Sequence, residues 1–411
     1  MRFALMPLVS LLLISCCGND AWCADGAPAF EAELISQVSL RQSGVPISNI
    51  AVTGSQLALG TGIAAAQQYD MSDPEHPGFL GDMHVGGRFE LLTDLAWHAG
   101  DVYVSVGIVG TPGVRIFDGS DPLAVEPIGS AELGMIARMA FDGPYMYTMG
   151  QPYTGDIHEL HVTDISDPTS PVTLSSSAFA ASYDHLNLGN LEVHQGYVYL
   201  ACGAYGMLVW DATTPETPVL VGGHATQASV EDLAVFEPYP SAGAFLAIAN
   251  GADGLLLLDV REPDSPEYVA AYPIDEIGGV MTSVLVHDDL CFAVVDGVGL
   301  VVLDISNAFD IQQVGLIPEI HGAMSDIAIE GDLLYVIESE LLRVFKITTE
   351  GDSGCQNLAD INGDRELNFY DVSSFLTAFI ASEPVGDFDG NGAWDFFDVS
   401  GFLTAFNAGC P

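Results

Sequence analysis

Basic side chains are scarce. Nine Lys and Arg, with Lys346 the only lysine, stand against 56 Asp and Glu in 411 residues, a formal net charge of −47. Such a surface repels phosphate backbones and anionic lipid, because binding either requires Lys or Arg to displace counterions. Nucleic acid is therefore excluded as a partner, while divalent cations and basic proteins are attracted. Long apolar runs are missing beyond the first 30 residues, so no transmembrane span is expected. HExxH, CxxC, GxSxG and P-loop patterns are all absent. No catalytic residue is assigned, although a pocket assembled from several loops would leave no local motif.

What is present begins with MRFALMPLVSLLLISCCGNDAWCADGAPAF: one Arg, a short apolar run, then small residues and cysteines. The run is too short for a stable spanning helix and predicts an export signal over residues 1–23. The expected location is secreted, cell-surface or periplasmic. Leu13-Ile14-Ser15-Cys16 resembles a bacterial lipobox, which would put a lipid on Cys16. Ordinary cleavage after Gly18 or Cys23 is the competing expectation. Cys202 and Cys291 sit in apolar runs and read as buried thiols. In an oxidising compartment Cys355 and Cys410, which bracket the C-terminal segment, are the natural disulfide.

One phrase recurs along the middle of the chain: YDMSDPEHP, FDGSDPLAVEP, TDISDPTSP, WDATTPETP, LDVREPDSP, LDISNAFD. Its leading aspartates are Asp70, Asp118, Asp164, Asp211, Asp259 and Asp304; in a seventh, degraded copy, FKITTEG, Lys346 takes that place. Three short apolar stretches precede each phrase and a fourth follows it. Runs rich in β-branched and aromatic residues, punctuated by Gly, Asp and Pro, are strands. Four strands in each of seven units predict an all-β, seven-bladed β-propeller over residues 30–349. The last unit stops after its third strand, and residues 30–44 read as the orphan fourth that closes the ring. The Asp-Pro phrase itself is expected to make a turn, since Asp and Ser bond backbone two residues on and Pro fixes φ.

The phrases GLLLLDV and GLVVLDISN, with their DISDPTSP turns, resemble LVIVD-repeat proteins, a family of secreted or surface propellers. The resemblance implies a fold and a location and carries little about activity. Units two and seven depart from its pattern.

At the start of each unit's first strand stands one polar residue: Asn49, Asp94, Arg138, Asn190, Asp232, Ser283 and Asp326. In a closed propeller the first strands line the central channel, so these seven form a polar ring there. Two roles are open: holding a cation or small polar ligand with Arg138 as counter-charge, or bonding the backbone of the neighbouring blade. The ten histidines form no recognisable ligand set.

After a linker over residues 350–354, the segment 355–411 contains DINGDRELNFYDV and DFDGNGAWDFFDV. Calcium takes six or more hard oxygens, offered by hand-type loops at positions 1, 3, 5, 7, 9 and 12. Here those positions are Asp360, Asn362, Asp364, Glu366, Asn368 and Asp371, then Asp387, Asp389, Asn391, Ala393, Asp395 and Asp398, with Glu366 and Ala393 at the backbone-carbonyl place. Each loop runs into an apolar-faced helical stretch, so two Ca2+ sites in a small helical domain are expected. Asp rather than Glu at position 12, no helix before either loop, and the twofold repeat resemble a type I dockerin. The closing GCP is similar to endings of secreted planctomycete-like proteins. Arg365 occupies the sixth position, where Gly392 in the second loop permits a positive φ, so the first site is expected to be weaker.

The dockerin resemblance implies docking on a cohesin-like or other envelope protein. The surface would comprise Phe369, Tyr370, Ser373, Ser374, Phe396, Phe397, Ser400 and Gly401. The combined expectation is an exported, non-catalytic scaffold with an unknown protein or glycan ligand on its propeller and a calcium-folded tether. The alternatives are an extracellular hydrolase or lyase acting on polysaccharide, lactone or ester, and a small-ligand or cation binder in the channel.

Overall fold

The structure is a computed structural model describing residues 13–15, 30–40, 49–60, 65–84, 91–107, 112–120, 127–151, 158–178, 189–237, 243–274, 278–318, 324–338, 341–349, 359, 361, 369–381, 384–386, 388 and 393–408. The chain divides into two compact units, Met1–Ile347 and Thr348–Pro411.

The first unit holds seven sheets, each an antiparallel meander. Blade one runs Asn49–Thr53, Gln56–Gly60, Ala65–Asp70, Gly78–His84. Blades two to six repeat this plan over 91–131, 135–178, 191–224, 232–272 and 280–318. Blade seven supplies Met324–Glu330, Leu333–Glu338 and Leu341–Thr349. Beside its third strand lies Phe30–Ser39, and Leu13–Ser15 pairs antiparallel on the far side of that. The ring is closed as the orphan strand predicts. First strands of successive blades touch one another all the way round, which makes them the channel wall.

Seven apolar clusters fill the seven junctions between blades. Leu57, Leu59 and Tyr69 of blade one, for example, pack on Tyr335, Ile337 and Leu342 of blade seven. At the next junction Ala58 and Ala66 meet Leu92, Val102 and Phe117 of blade two. Alternation along each strand sends one apolar row to each neighbouring blade, which is why second and third strands read as continuous hydrophobic runs.

The repeated aspartates make the expected turns. Asp70, Asp164, Asp211 and Asp304 accept backbone N–H bonds from Ser72, Ser166, Thr213 and Ser306 at 2.9–3.0 Å. These donors, together with the Ser120 hydroxyl and backbone at Asp118, hold Asp70, Asp118 and Asp164 below the usual carboxylate range. A depressed folded-state value contributes stability above the unfolded pKa, about 4, that is lost as pH falls through the folded one. The melting temperature should therefore drop below about pH 4. Asp118→Asn should remove part of that acid sensitivity, and equal acid slopes in both proteins would rule the turn carboxylate out as a cause.

Outer strands are edges, and the fold blunts them. In blades one, three, four, five and six the register between third and fourth strands slips by one residue, at Gln68/Tyr69, Val162/Thr163, Val209/Trp210, Leu257/Leu258 and Val302/Leu303. Each slip is a bulge that twists the edge away from flat pairing. Blade two instead has a three-residue outer strand, Gly129–Ala131.

Blade seven carries a buried ion pair. Glu338 and Arg343 are both fully buried and meet at 2.6 Å. Arg343 lies opposite Val336 in the register, on the face that Leu334 and Val336 turn to blade six. The pair is thus sunk in the junction between blades six and seven.

In the second unit, helices Phe369–Ala381 and Phe396–Ala408 pack through Phe375 and Phe402, whose rings stack at 4.2 Å and 1°. Phe388 sets its edge against both. Phe375 and Phe402 occupy the same place in the two loop-helix repeats, so the copies pack as equivalents.

Candidate functional site

The channel wall is built from seven aligned first strands, and alternate residues of a strand share a face. In blades two, three, six and seven a bulge separates Leu92 from Asp94, Ile136 from Arg138, Met281 from Ser283 and Met324 from Asp326. Bulges re-aim the side chain that follows them, here toward the next blade. Thr93, displaced by its bulge, donates to the Ile136 carbonyl of blade three at 2.6 Å.

The ring residues then bond across blade boundaries. Asp326 accepts from Ile50 N–H of blade one at 2.9 Å, Asp94 from Met139 N–H of blade three at 2.7 Å, and Asp232 from Val284 N–H of blade six at 3.0 Å. Each carboxylate also accepts the N–H of its own following residue, at 2.8–3.0 Å. Asn190 donates to the Leu233 carbonyl at 3.3 Å, and Asn49 reaches Asp94 at 3.5 Å. Arg138 and Ser283 differ: Arg138 bonds the adjacent Ala137 carbonyl, and Ser283 donates back to Asp232 at 2.6 Å.

Four residues further along the same strands lies a second set that sequence reasoning missed. Glu330 accepts from Gly54 N–H and Asp142 from Gly196 N–H, at 2.8 and 2.9 Å. His98 Nε2 lies 2.9 Å from the Gly143 carbonyl, and His194 Nε2 lies 3.1 Å from Glu237. Both ends of the channel are therefore stitched blade to blade. Asp326→Ala would strand the buried Ile50 and Ile327 N–H groups, each costing about 1–3 kcal/mol. Urea unfolding should place Asp326→Ala well below the native protein; a loss under about 0.5 kcal/mol would show that the stitch carries nothing.

Between the two sets the wall is Ala51, Ala96, Ala140, Glu192, Ala234, Leu285 and Ala328, one residue from each blade in order. Glu192 is the one charge in that row. Desolvation, with Asp232 adding repulsion, pushes its carboxyl up to about 8. Desolvation likewise raises Asp94 to about 6, against the attraction of Arg138, and Asp326 to about 7, with Asp232 and Asp94 repelling. Asp232 is raised by burial while Ser283, backbone donors and Arg138 oppose it.

Among the described residues no group of three or more His, Cys, Asp or Glu is placed to hold a metal ion. His158 and His161 are buried in blade three, and burial lowers both. Cys202 and Cys291 are buried free thiols, raised by desolvation.

In the helical unit Asp360, Asn362, Asp364, Glu366, Asn368, Asp387, Asp389 and Asn391 lie outside the described residues, as do Cys355, Cys410 and the 350–354 linker. Four loop positions are described. Asp371 and Asp398, at position 12 of each loop, are fully buried at the first turn of their helices. Asp371 accepts from Ile361 N–H at 3.0 Å, and Asp398 from Asp395 N–H at 2.8 Å. Ala393 and Asp395 are exposed. Of the docking residues, Phe396 and Phe397 are exposed and so do not pack inside the unit; Ser373 is exposed, while Ser374, Ser400 and Gly401 are half-buried. The side chains of Phe369 and Tyr370 lie outside the described residues. Sequence reasoning missed Leu376, Ile380 and Leu403, all exposed on the two helices.

Seven four-stranded meanders around a stitched channel define the β-propeller class, and comparison with solved structures agrees. The chain is similar to the WD40 repeats of RRP9 (TM-score 0.58, 13% identity, 78% of this chain and 99% of that one) and to the Neurospora crassa Pan2 WD40 domain (0.55, 12%, 79% and 97%). It is also similar to the computationally designed Ika8 protein (0.52, 13%, 74% and 84%). At these identities the likeness is one of fold. Within the class, residues 152–178 and 278–309 match the LVIVD repeat, so the chain is a seven-bladed propeller carrying LVIVD repeats. No curated protein matches it.

Proposed function

We propose that this is an exported binding scaffold, with the propeller as a rigid interaction platform and the C-terminal unit as a calcium-folded tether. The observation that carries the reading is the pair of fully buried carboxylates, Asp371 and Asp398, at equivalent places in two repeats. Calcium-loop spacing sets five further oxygen-bearing positions before each of them in the sequence, making up the donor number that a calcium ion takes. Asp360, Asn362, Asp364, Glu366, Asn368 and Asp371 would hold one Ca2+; Asp387, Asp389, Asn391, Ala393, Asp395 and Asp398 would hold the other. A bound Ca2+ would supply the positive charge that offsets the repulsion between these carboxylates.

The exposed Phe396, Phe397, Leu376 and Leu403 give the tether an apolar face, on a unit whose acidity favours a partner with a basic rim. A type I dockerin-like reading makes that partner a cohesin-like or other envelope protein, and the export signal puts the encounter outside the cytoplasm. The test is capture of the full chain on an envelope preparation, with calcium and with chelator. Capture should require calcium and be lost in Phe396→Asp/Phe397→Asp. Calcium-independent capture by residues 1–349 alone would reverse the two roles.

A further inference from the structure

We infer that closure of the propeller is proton-linked, through four carboxyls that blades two, four, five and seven place along one channel wall, with Arg138 the one guanidinium acting on them among the described residues. Asp94, Asp232 and Asp326 are the inter-blade stitches themselves. Glu192 lies two residues along its strand from ring residue Asn190, in a row that is otherwise alanine and leucine, and Asp232 of the next blade repels its charged form. Among the described residues Arg138 is the one cation that acts on the group, through Asp94 and Asp232.

The facing groups can be named element by element. Asp94 meets Asn49 from blade one and Arg138 from blade three. Asp232 accepts from Ser283 of blade six, repels the charged forms of Glu192 of blade four and Cys291 of blade six, and is attracted by Arg138. Asp326 feels repulsion from Asp232 and Asp94 on other blades. The loops leading into these strands, with Arg88, Glu90, Asp184, His185, Asp275, Glu276, Glu319 and His321, lie outside the described residues.

Among the described residues four carboxyls stand against one Arg, so full ionisation leaves uncompensated negative charge in a channel wall where Asp232 is buried and Asp94, Glu192 and Asp326 are half-buried. The folded state therefore binds protons that the unfolded chain releases near pH ~4. A raised folded-state value for an acid reverses the usual sign: stability is greatest when the group is protonated. It declines as pH rises from about 4 through the values near 6, 7 and 8 reached by Asp94, Asp326 and Glu192. Ionisation acts on the stitches directly, because the repelling carboxylates are the acceptors that hold neighbouring blades together.

Glu192 isolates the effect, because among the described residues it makes no inter-blade hydrogen bond, whereas Asp94, Asp232 and Asp326 each make one. The experiment is thermal unfolding of the full chain in calcium at pH 5 and pH 8.5, followed by strand circular dichroism, in 0.15 M and 1 M NaCl. The native protein should melt lower at pH 8.5 in both salts, because salt screens surface repulsion but reaches a protein-lined channel poorly. Glu192→Gln should melt as the native protein does at pH 5 and several degrees above it at pH 8.5. Asp326→Asn should lose stability at pH 5, where it lacks an acceptor, yet show a shallower decline toward pH 8.5. Exposed Glu75→Gln should keep the native slope. A Glu192→Gln slope equal to the native one, or a decline abolished by 1 M NaCl, would overturn the inference.

Discussion

Glu338→Ala is expected to destabilise the propeller by about 3–5 kcal/mol, because it leaves the Arg343 guanidinium charged inside the junction between blades six and seven. Burial already pulls Arg343 below its ordinary value, and the Glu338 carboxylate opposes this. The surroundings are apolar: Arg343 lies opposite Val336, and Leu334, Phe345 and Ile347 fill the same junction. Arg343→Ala should cost a similar amount by orphaning Glu338. The double replacement Glu338→Leu/Arg343→Met puts apolar volume in place of both charges and should recover most of the loss, since a buried pair contributes little beyond its hydrophobic substitute. Urea unfolding of the three variants decides the matter. A double variant as weak as the singles would mean that the pair is held for a contact beyond its own charge balance.

The second large effect concerns metal removal. Chelation should abolish the helices Phe369–Ala381 and Phe396–Ala408 while leaving the strand signal of the propeller intact. The core of the helical unit is small. Among the described residues its fully buried apolar side chains are Ala359, Phe375, Ala378 and Phe402, with Ile361, Val372, Phe379, Phe388, Val399, Ala405 and Phe406 partly buried around them, a core small enough to leave the unit marginal on its own. Two of the four fully buried side chains are alanines, so the stacked phenylalanine rings contribute most of their buried area. Far-UV circular dichroism with added chelator, then calcium titration, tests this. Recovery should come in two steps, with the Gly392 loop filling first and the Arg365 loop needing more calcium. Unchanged helix content without calcium would remove the metal from the account.

The propeller was largely legible because its signals repeat. Six Asp-led turns and seven sets of short apolar runs indicated the blade number, and the missing fourth strand of the last unit pointed to Phe30–Ser39. The same repetition hid what occurs once. Glu192 becomes visible when the seven first strands are aligned and a single acid interrupts a row of alanines. Arg343 sat in LLRVF as one more strand residue, although a basic group inside an apolar run of so acidic a chain was itself a signal. The second stitched set, His98, Asp142, His194 and Glu330, varies in residue type because carboxylate and imidazole can both span a blade boundary. Bulges before Asp94, Arg138, Ser283 and Asp326 were not legible, since they depend on register between strands. The calcium-type spacing falls mostly on residues outside the described ones, while the apolar face of each helix was legible and the exposure of Leu376, Ile380 and Leu403 was not, since exposure depends on packing.

The placement of the last propeller strand has a mechanical consequence. A pull on the C-terminal segment enters the first unit through Leu341–Thr349, which has a neighbour on each side, Leu333–Glu338 and Phe30–Ser39. An edge strand would peel away one hydrogen bond at a time, whereas a strand clamped on both sides must break two rows together. The load path from the C-terminal segment therefore begins at an interior strand of the blade seven sheet and not at its edge.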